Sequence, residues 1–236
     1  MIRAFILATL TSIAVSCAPS DAPAEIERAS GSVMWPDLLR REHVHVNRRL
    51  DEIEVLPPLQ GGVLFVGDSI TEGAPLTTMF PGLEVANHGI GGDTSEGVLL
   101  RFGQITRNAP DRLFLLIGTN DTNYTDDPDR IGGNILTIAE RLNAALPETE
   151  LYVISVLPRS GKKNAIIPGI NAMVSTAAET ADFVYLDLAS AMRAPNGELI
   201  PALTYDSLHL NEQGYAVWAE VLQTCVRAGC PNGLAD

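Results

Sequence analysis

Five short apolar runs, separated by segments with helical periodicity, constrain the fold of this chain more than any other feature. The runs cover residues 63–66, 83–86, 112–117, 150–156 and 183–186. They are nearly continuous in apolar residues, a pattern typical of parallel strands that are buried on both faces. At 236 residues the chain is long enough for one such domain with a sizeable core. We therefore predict an α/β fold with a parallel sheet of about five strands.

The segments around these runs predict the layers on either side of the sheet. Helical patterns cover residues 35–53, 94–106, 130–146, 170–178 and 212–225. Strands that alternate with helices need crossovers that place the helices on the sheet faces, which gives a three-layer α/β/α sandwich. Active sites in such sheets lie at the carboxyl ends of the strands. The residues that follow each predicted strand are therefore the first candidates for a site.

The first sixteen residues form a segment of their own. Arg3 precedes a largely apolar run over residues 4–15, which is too short to span a membrane and typical of a secretory signal peptide. Cys17 closes the sequence Ala-Val-Ser-Cys, which resembles the cleavage box of bacterial lipoproteins, where the cysteine is lipidated; ordinary cleavage near residues 22–24 is the alternative. The chain then divides into a signal peptide at 1–16, a flexible tether at 17–33, a folded domain at 34–230 and a tail at 231–236.

This leader predicts export to the periplasm or cell envelope, with a lipid on Cys17 as the only membrane contact. The net charge is −13, and no run of basic residues is longer than two. Binding to phosphates requires clustered Lys and Arg, so the composition argues against nucleic acid or an anionic membrane surface as a partner.

The three cysteines are consistent with export. If Cys17 carries a lipid, Cys225 and Cys230 are left to form a disulfide in an oxidising compartment. Free thiols at these two positions are the alternative. A zinc site is not indicated, because two cysteines without neighbouring His or further Cys do not make a four-ligand set.

Gly67-Asp68-Ser69 follows the first predicted strand directly. A strand-to-helix turn at this point would place the Ser69 hydroxyl near a helix N-terminus, where backbone N–H groups favour developing negative charge. Ser69 is therefore a candidate nucleophile. The tripeptide alone is also typical of an ordinary turn with an N-cap, and Thr71 takes the place of the last glycine in a Gly-x-Ser-x-Gly elbow.

Asp206 and His209 are the candidate acid and base. Residues three apart on one helical turn lie on the same face, so the carboxylate could hold one ring nitrogen while the other faces Ser69. The other histidines are weaker candidates. His43 and His45 fall among charged residues of the first predicted helix and are interpreted as solvated. His88 is interpreted as part of a loop.

Gly92 and Asn120 are candidate donors to an oxyanion, together with the N–H of Ser69. A glycine lets a backbone N–H approach a substrate closely, and an asparagine amide can point at the same atom. The alternatives are a flexible turn at Gly92 and a helix cap at Asn120.

These blocks together resemble the SGNH hydrolase superfamily, also called the GDSL esterases and lipases. Ser69, Gly92, Asn120 and His209 match its four naming residues in order, and Asp206 matches its triad acid. The resemblance implies a flavodoxin-like sheet, acyl transfer without metal or cofactor, and a small-molecule or glycan ester as substrate. It does not fix which ester.

The resemblance extends over residues 62–222. Residues 89–94 and 157–159, which read Gly-Ile-Gly-Gly-Asp-Thr and Leu-Pro-Arg, are similar to the branch that contains the platelet-activating-factor acetylhydrolase catalytic subunits. The first block reads Gly-Asp-Ser-Ile where the family usually has Gly-Asp-Ser-Leu, a change that leaves the nucleophile intact.

Two other functions are consistent with parts of this pattern. Asp68, Asp93, Asp206 and His209 could supply the ligands of a metal-dependent phosphoesterase, although this reading leaves Gly92 and Asn120 without a role. A catalytically silent module that binds envelope glycans in the same cleft is the other. Within the esterase hypothesis, the lack of a long insertion and an aromatic content of 6% favour short acyl groups such as acetyl.

Overall fold

The computed structural model describes residues 39–230, which contain a single five-stranded parallel sheet in the order β2-β1-β3-β4-β5. The strands are β1 (Val63–Gly67), β2 (Val85–Gly89), β3 (Arg112–Leu116), β4 (Glu150–Ile154) and β5 (Val184–Leu186). This is the strand order of flavodoxin-like folds, so the predicted α/β class is confirmed. The predicted signal peptide at 1–16, the tether at 17–33 with Cys17, and the tail at 231–236 lie outside the described residues.

Helices cover both faces of the sheet. They are α1 (Leu39–Glu54), α2 (Ser69–Glu72), α3 (Leu76–Met79), α4 (Ser95–Leu100), α5 (Phe102–Thr106), α6 (Pro128–Ala145), α7 (Ile167–Ala178), α8 (Leu188–Met192) and α9 (Glu212–Ala228). The helix predicted over residues 94–106 is divided in two by Arg101, whose φ of −97° and ψ of 19° depart from helical values. Among residues 39–230, no helix has the length and apolar character needed to cross a membrane.

The core consists of two layers, one on each side of the sheet. Successive side chains of a strand point to opposite faces. Accordingly, Phe65 packs with Trp218 and Leu222 of α9, whereas its neighbours Leu64 and Val66 pack on the other face, which is covered by α6 and α7. Burying both faces requires strands without alternation, which explains the continuous apolar runs in the sequence.

A row of aromatic rings ties the three central strands together. Phe65, Phe114 and Tyr152 occupy matching register positions on β1, β3 and β4. Their ring centroids lie 5.0 and 4.5 Å apart with nearly parallel planes, which is the offset-stacked spacing favoured by aromatic pairs. This row fixes β1 and β3, whose carboxyl ends lead into the candidate site.

Strand β2 begins later than the sequence predicts and continues into residues that were interpreted as a loop. Asn87 and His88 lie in the strand, although Asn and Gly are poor strand formers. The Asn87 amide donates to the carbonyl oxygens of Thr71 and Glu72 at 2.8 and 3.2 Å. These bonds to α2 stabilise Asn87 in its strand position. They are tertiary contacts, so the strand propensity of asparagine does not predict them.

The C-terminal end of α9 is attached to the sheet. Cys225 and Cys230 form a disulfide, and the Cys230 N–H donates to the Tyr152 hydroxyl at 2.8 Å. That hydroxyl in turn donates to the Glu150 carboxylate at 2.7 Å. The disulfide joins α9 to Cys230, and the hydrogen bond from Cys230 to Tyr152 attaches this part of the chain to β4.

Candidate active site

Ser69 lies at the junction of β1 and α2, as the first residue of the helix. Asp68 is the N-cap, and its Oδ1 accepts from the Ile70 N–H at 2.9 Å. At this junction, position 89 of the neighbouring strand β2 must be a glycine, because a Cβ there would lie 2.1 Å from the Glu72 nitrogen. The close approach of α2 to β2 places the Ser69 hydroxyl at the carboxyl edge of the sheet.

The structure brings Ser69, His209 and Asp206 into one hydrogen-bonded chain. Ser69 Oγ lies 2.9 Å from His209 Nε2, and His209 Nδ1 lies 2.6 Å from Asp206 Oδ2. An ionised carboxylate only accepts hydrogen bonds, so Nδ1 carries the proton and Nε2 is left to accept from the serine hydroxyl. This is the arrangement that general-base activation of a serine requires.

The local structure around Asp206 and His209 differs from the predicted helical turn. The two residues lie in a bend in which Ser207 has a φ of +69°. Asp206 Oδ1 accepts from the N–H groups of Leu208 and His209 at 3.0 and 2.7 Å, so the carboxylate closes the bend itself. The prediction of a helical turn was wrong. An Asp at position 206 can also accept hydrogen bonds from backbone N–H groups two and three residues later, and these bonds stabilise a non-helical turn instead.

Asp206 remains ionised in this environment. Partial burial raises its pKa, but hydrogen bonds from the His209 ring and from the His209 and Leu208 backbone N–H groups outweigh that effect and hold the pKa below its usual range. The Thr204 hydroxyl fixes the same segment by donating to the His209 carbonyl at 2.6 Å. The acid and base are thus held by backbone as well as by their mutual contact.

Gly92 lies in an exposed turn after β2 with a φ of +81°, a conformation that favours glycine. A Cβ at this position would meet no atom within 4 Å, so the positive φ, and not a lack of space, is what favours glycine here. Among residues 39–230, no acceptor is bonded to the Gly92 N–H. This donor is therefore accessible to a substrate oxygen.

Asn120 follows β3 and is almost completely buried. Its Nδ2 donates to the carbonyl oxygen of Asp93 at 2.9 Å. Because an amide nitrogen carries two hydrogens, this bond orients the side chain and leaves one donor. It also joins the segment after β3 to the residue that follows Gly92.

Two further interactions, which the sequence analysis did not identify, hold the same segments. Asp121 accepts hydrogen bonds from the Ser95 hydroxyl and N–H, which links the residue after Asn120 to the start of α4. Arg101 pairs with Asp93 at 2.8 Å and also donates to the Gly67 carbonyl at 3.2 Å. Burial raises the pKa values of Asp93 and Asp121, and these partners counter the increase.

Asp68 has an unusual environment for a carboxyl group. Its side chain is buried, and burial raises its pKa to about 7, against the hydrogen bond from Ile70 and assisted by the nearby Asp93 and Asp121 carboxylates. The raised pKa lowers the negative charge that Asp68 places beside Ser69 near neutral pH. That condition favours a site where an oxyanion develops.

Glu72 and His45 form a second contact beside Ser69 that the sequence analysis missed. His45 was interpreted as a solvated helix residue, but its Nε2 donates to Glu72 Oε2 at 2.9 Å and its side chain is about two-thirds covered. The same carboxylate oxygen accepts from the Gly91 N–H. Contacts of this kind depend on how α1 packs across the sheet edge, which no local pattern in the sequence encodes.

The residues invoked for a metal-dependent alternative are engaged with other partners. Asp93 is paired with Arg101, and Asp206 with His209. Within the described part of the chain, no group of three or more His, Cys, Asp or Glu side chains could hold a metal ion. Ser69, His209 and Asp206 are instead hydrogen-bonded to one another in the order expected for a serine nucleophile, its base and its acid.

Comparison with known proteins identifies the family of this chain. The model of the GDSL-like lipase/acylhydrolase family matches residues 65–217. Platelet-activating factor acetylhydrolase IB subunit alpha2 of Rattus norvegicus is 28% identical over 204 residues, which cover 82% of this chain and 86% of the relative.

Solved structures share the fold. A GDSL-like lipase from Bacteroides thetaiotaomicron superposes with a TM-score of 0.69 at 25% identity, covering 78% of this chain and 98% of the other. An acetylxylan esterase from Geobacillus stearothermophilus superposes with a TM-score of 0.58 at 19% identity, covering 74% and 96%.

Proposed function

Because this chain belongs to the GDSL-like lipase/acylhydrolase family and is a carboxylic-ester hydrolase, we propose that it works through an acyl-enzyme on Ser69. The observation that carries this proposal is the continuous hydrogen-bonded chain from Ser69 Oγ through the His209 ring to Asp206. Each contact is short enough for proton transfer to occur without rearrangement of the site.

In the acylation step, Ser69 Oγ attacks the ester carbonyl carbon while His209 Nε2 takes the hydroxyl proton. Asp206 stabilises the imidazolium that forms, and it does not take the proton itself. The negative charge that develops on the carbonyl oxygen is accepted by the N–H groups of Ser69 and Gly92 and by the free hydrogen of the Asn120 amide. The tetrahedral intermediate then collapses, His209 protonates the alkoxide, and the alcohol leaves.

Deacylation repeats these steps with water as the nucleophile. His209 removes a proton from the water, the hydroxide adds to the acyl carbon, and the same three donors stabilise the second oxyanion. When this intermediate collapses, Ser69 recovers its proton from His209 and the carboxylic acid is released. Apart from the ester and one water molecule, Ser69 and His209 supply and accept every proton in the two steps.

We assign a short acyl group, of the acetyl type, to the substrate. The strongest support is the name of the 28% identical relative, an acetylhydrolase. In addition, no long insertion that would be an obvious interfacial lid lies between the blocks of the sequence that carry the site residues. The alcohol part of the ester is a sugar, a lipid or another small alcohol.

The proposed place of action is the cell envelope. The leader at 1–16 and Cys17 support export with a lipid anchor, and a disulfide between Cys225 and Cys230 is typical of an oxidising compartment. Detergent phase partition of wild type and Cys17→Ser tests the anchor. We expect the variant alone to move to the aqueous phase; an unmodified mature protein that begins near residues 22–24 would contradict lipidation.

The direct test of the proposed chemistry is Ser69→Ala with p-nitrophenyl acetate as substrate. We expect a loss of turnover on the order of 10⁴-fold or more, with an unchanged circular dichroism spectrum and melting temperature. A variant that keeps most of the turnover would show that Ser69 is not the nucleophile.

Chain-length preference is tested with acetyl, butyryl and palmitoyl p-nitrophenyl esters under identical conditions. The proposal predicts that kcat/KM decreases as the acyl chain lengthens. Faster hydrolysis of the palmitoyl ester than of the acetyl ester would exclude a short-chain specificity while leaving the Ser69 mechanism in place.

A further inference from the structure

Glu72 joins the helix that carries the nucleophile to the segment that carries an oxyanion donor. It is the last residue of α2, three positions after Ser69. Its Oε2 accepts from the Gly91 N–H at 2.5 Å. Gly91 directly precedes Gly92, so this bond connects the two elements whose backbone N–H groups must converge on one substrate oxygen.

We propose that Glu72, held by His45, is a positioning residue that fixes the Gly91–Gly92 segment relative to Ser69. This inference rests on the proposed function, because it concerns the geometry of the oxyanion donors. Neither side chain is assigned contact with the substrate. Their effect is exerted through the Gly92 N–H.

The fit around Gly91 supports this role. A Cβ at Gly91 would lie 3.0 Å from His45 Nε2 and 3.1 Å from Glu72 Oε2, so the backbone of the segment rests directly against both side chains. Gly92 itself, by contrast, has no atom near its own missing Cβ. The segment is thus restrained at Gly91 and open at Gly92, as a donor that receives a substrate must be.

Helix α1 holds Glu72 from the other side. His45 Nε2 donates to Glu72 Oε2, while His45 Nδ1 accepts from Arg48 at 3.0 Å, so both ring nitrogens have fixed roles. The Glu72 side chain is only 23% exposed, which strengthens these charge-assisted bonds relative to bonds in water.

Arg49 of α1 extends the same contact along β2. Its guanidinium donates to the carbonyl oxygens of Asn87 and Gly89 at 2.8 and 3.1 Å. These carbonyls lie on the outer edge of β2, which among the described strands pairs with β1 alone. Arg49 Nε also lies 4.0 Å from Glu72 Oε1. His45 and Arg49 of α1 therefore contact both the end of β2 and the Glu72 carboxylate that binds the Gly91 N–H.

The test compares Glu72→Leu, Glu72→Gln and Glu54→Leu in the full chain with p-nitrophenyl acetate. Misplacing a catalytic group by about 1 Å costs on the order of 10²-fold in rate. We expect Glu72→Leu to lower kcat by roughly 10- to 100-fold with little change in KM, because the donor acts on the transition state. Glu72→Gln keeps an oxygen acceptor for Gly91 and should recover most of kcat.

Glu54→Leu is the matched control. Glu54 is also a glutamate, the last residue of α1, and its carboxylate contacts Gln104 of α5 and Arg107, which directly follows that helix; it has no hydrogen bond or ion pair with the Gly91–Gly92 segment. Its kcat should equal that of wild type. Equal kcat values for Glu72→Leu and wild type would overturn the inference, as would an equal loss in Glu54→Leu.

His45→Ala provides a second test that does not depend on the folding of Glu72→Leu. Removing the ring loosens Glu72 without removing the Gly91 acceptor, so kcat should fall by about 3- to 10-fold at constant KM, within the cost of a misplaced group. An unchanged kcat would contradict the role of α1. If Ser69→Ala were active, the proposed function itself would fail; an inactive Ser69→Ala with unaffected Glu72 and His45 variants would remove only this inference.

Discussion

The two ends of the sheet differ in how they treat polar side chains. At the carboxyl end, the side chains of Asp68, Asp93, Asn120 and Asp121 are less than a tenth exposed and are bonded to one another's backbone or to neighbouring helices. At the amino end, charged groups remain near water. Glu150, for example, pairs with Arg112 at 3.4 Å with a side chain that is 55% exposed.

This difference shows that the unfavourable burial of polar side chains is concentrated at the carboxyl end of the sheet. Burying a polar group is unfavourable unless every hydrogen bond is replaced, and buried networks fix their members in one arrangement. The amino end has a cleft of about 690 Å³ lined by residues that include Asn143, Glu148 and Asp182, and none of these three is buried. The proposed site therefore lies at the end of the sheet with the buried polar side chains, and not at this cleft.

Among variants that compare the two ends of the sheet, His209→Ala is expected to cause the largest loss of kcat. Without its base, Ser69 has no acceptor for its proton, and removal of one triad member costs on the order of 10⁴- to 10⁶-fold in kcat. Steady-state hydrolysis of p-nitrophenyl acetate measures the loss. Residual activity above a tenth of wild type would show that the base lies elsewhere.

The next effect is expected from Asn120→Ala, which removes one oxyanion donor and its bond to the Asp93 carbonyl. Loss of such a donor costs about 10²- to 10³-fold in kcat, with KM nearly unchanged. Asn143→Ala is the matched control at the amino end, where that amide donates only to the Asp182 carbonyl at 2.7 Å. Similar kcat losses in the two variants would erase the distinction between the ends of the sheet.

Asp68→Asn tests the electrostatics of the carboxyl end through stability. The pKa of Asp68 is about 7 in the fold and near 3.8 in the unfolded chain, so the folded state binds more protons between these values. The contribution of this proton uptake to the free energy of unfolding is therefore present at low pH and is lost as the pH rises through 7. The wild type should lose on the order of 3 kcal/mol relative to Asp68→Asn between pH 4.5 and 8.

Urea unfolding of both proteins at the two pH values measures this difference. Asparagine keeps an oxygen acceptor for the Ile70 N–H, so the cap is retained and the comparison reports the charge. Parallel pH dependences in wild type and variant would mean that Asp68 does not take up a proton in the fold.

The smallest effect is expected from Glu150→Gln at the amino end. Exposed ion pairs contribute about 0–1 kcal/mol, and glutamine still accepts from the Tyr152 hydroxyl. The free energy of unfolding should change by less than about 1 kcal/mol, and kcat should be unaltered. A marked loss of kcat would show that the two ends are coupled.

Much of the fold was predictable because continuous apolar runs report strands that are buried on both faces. The same logic located Ser69, Gly92 and Asn120, which follow β1, β2 and β3. Their separation in sequence did not matter, since the carboxyl ends of parallel strands share one edge. Their catalytic roles, and those of Asp206 and His209, remain predictions that the experiments above address.

What the sequence could not supply are contacts made only by packing. Asn87 is in β2 because of its bonds to α2, and His45 is covered because α1 lies along the sheet edge. The conformation around Asp206 depends on side-chain bonds to its own backbone, which compete with helix formation. Asn87 and His45 are thus fixed by partners distant in the chain, and Asp206 by hydrogen bonds within its own turn.

The most direct test of the central claim, that Ser69 is a nucleophile activated by His209, is mass spectrometry after reaction with a fluorophosphonate. The Ser69 oxygen would displace fluoride and remain bonded to phosphorus. We predict one adduct, on the peptide that contains Ser69, formed rapidly in wild type and not in His209→Ala. An adduct on another residue, or an unlabelled enzyme that still hydrolyses p-nitrophenyl acetate, would contradict the account.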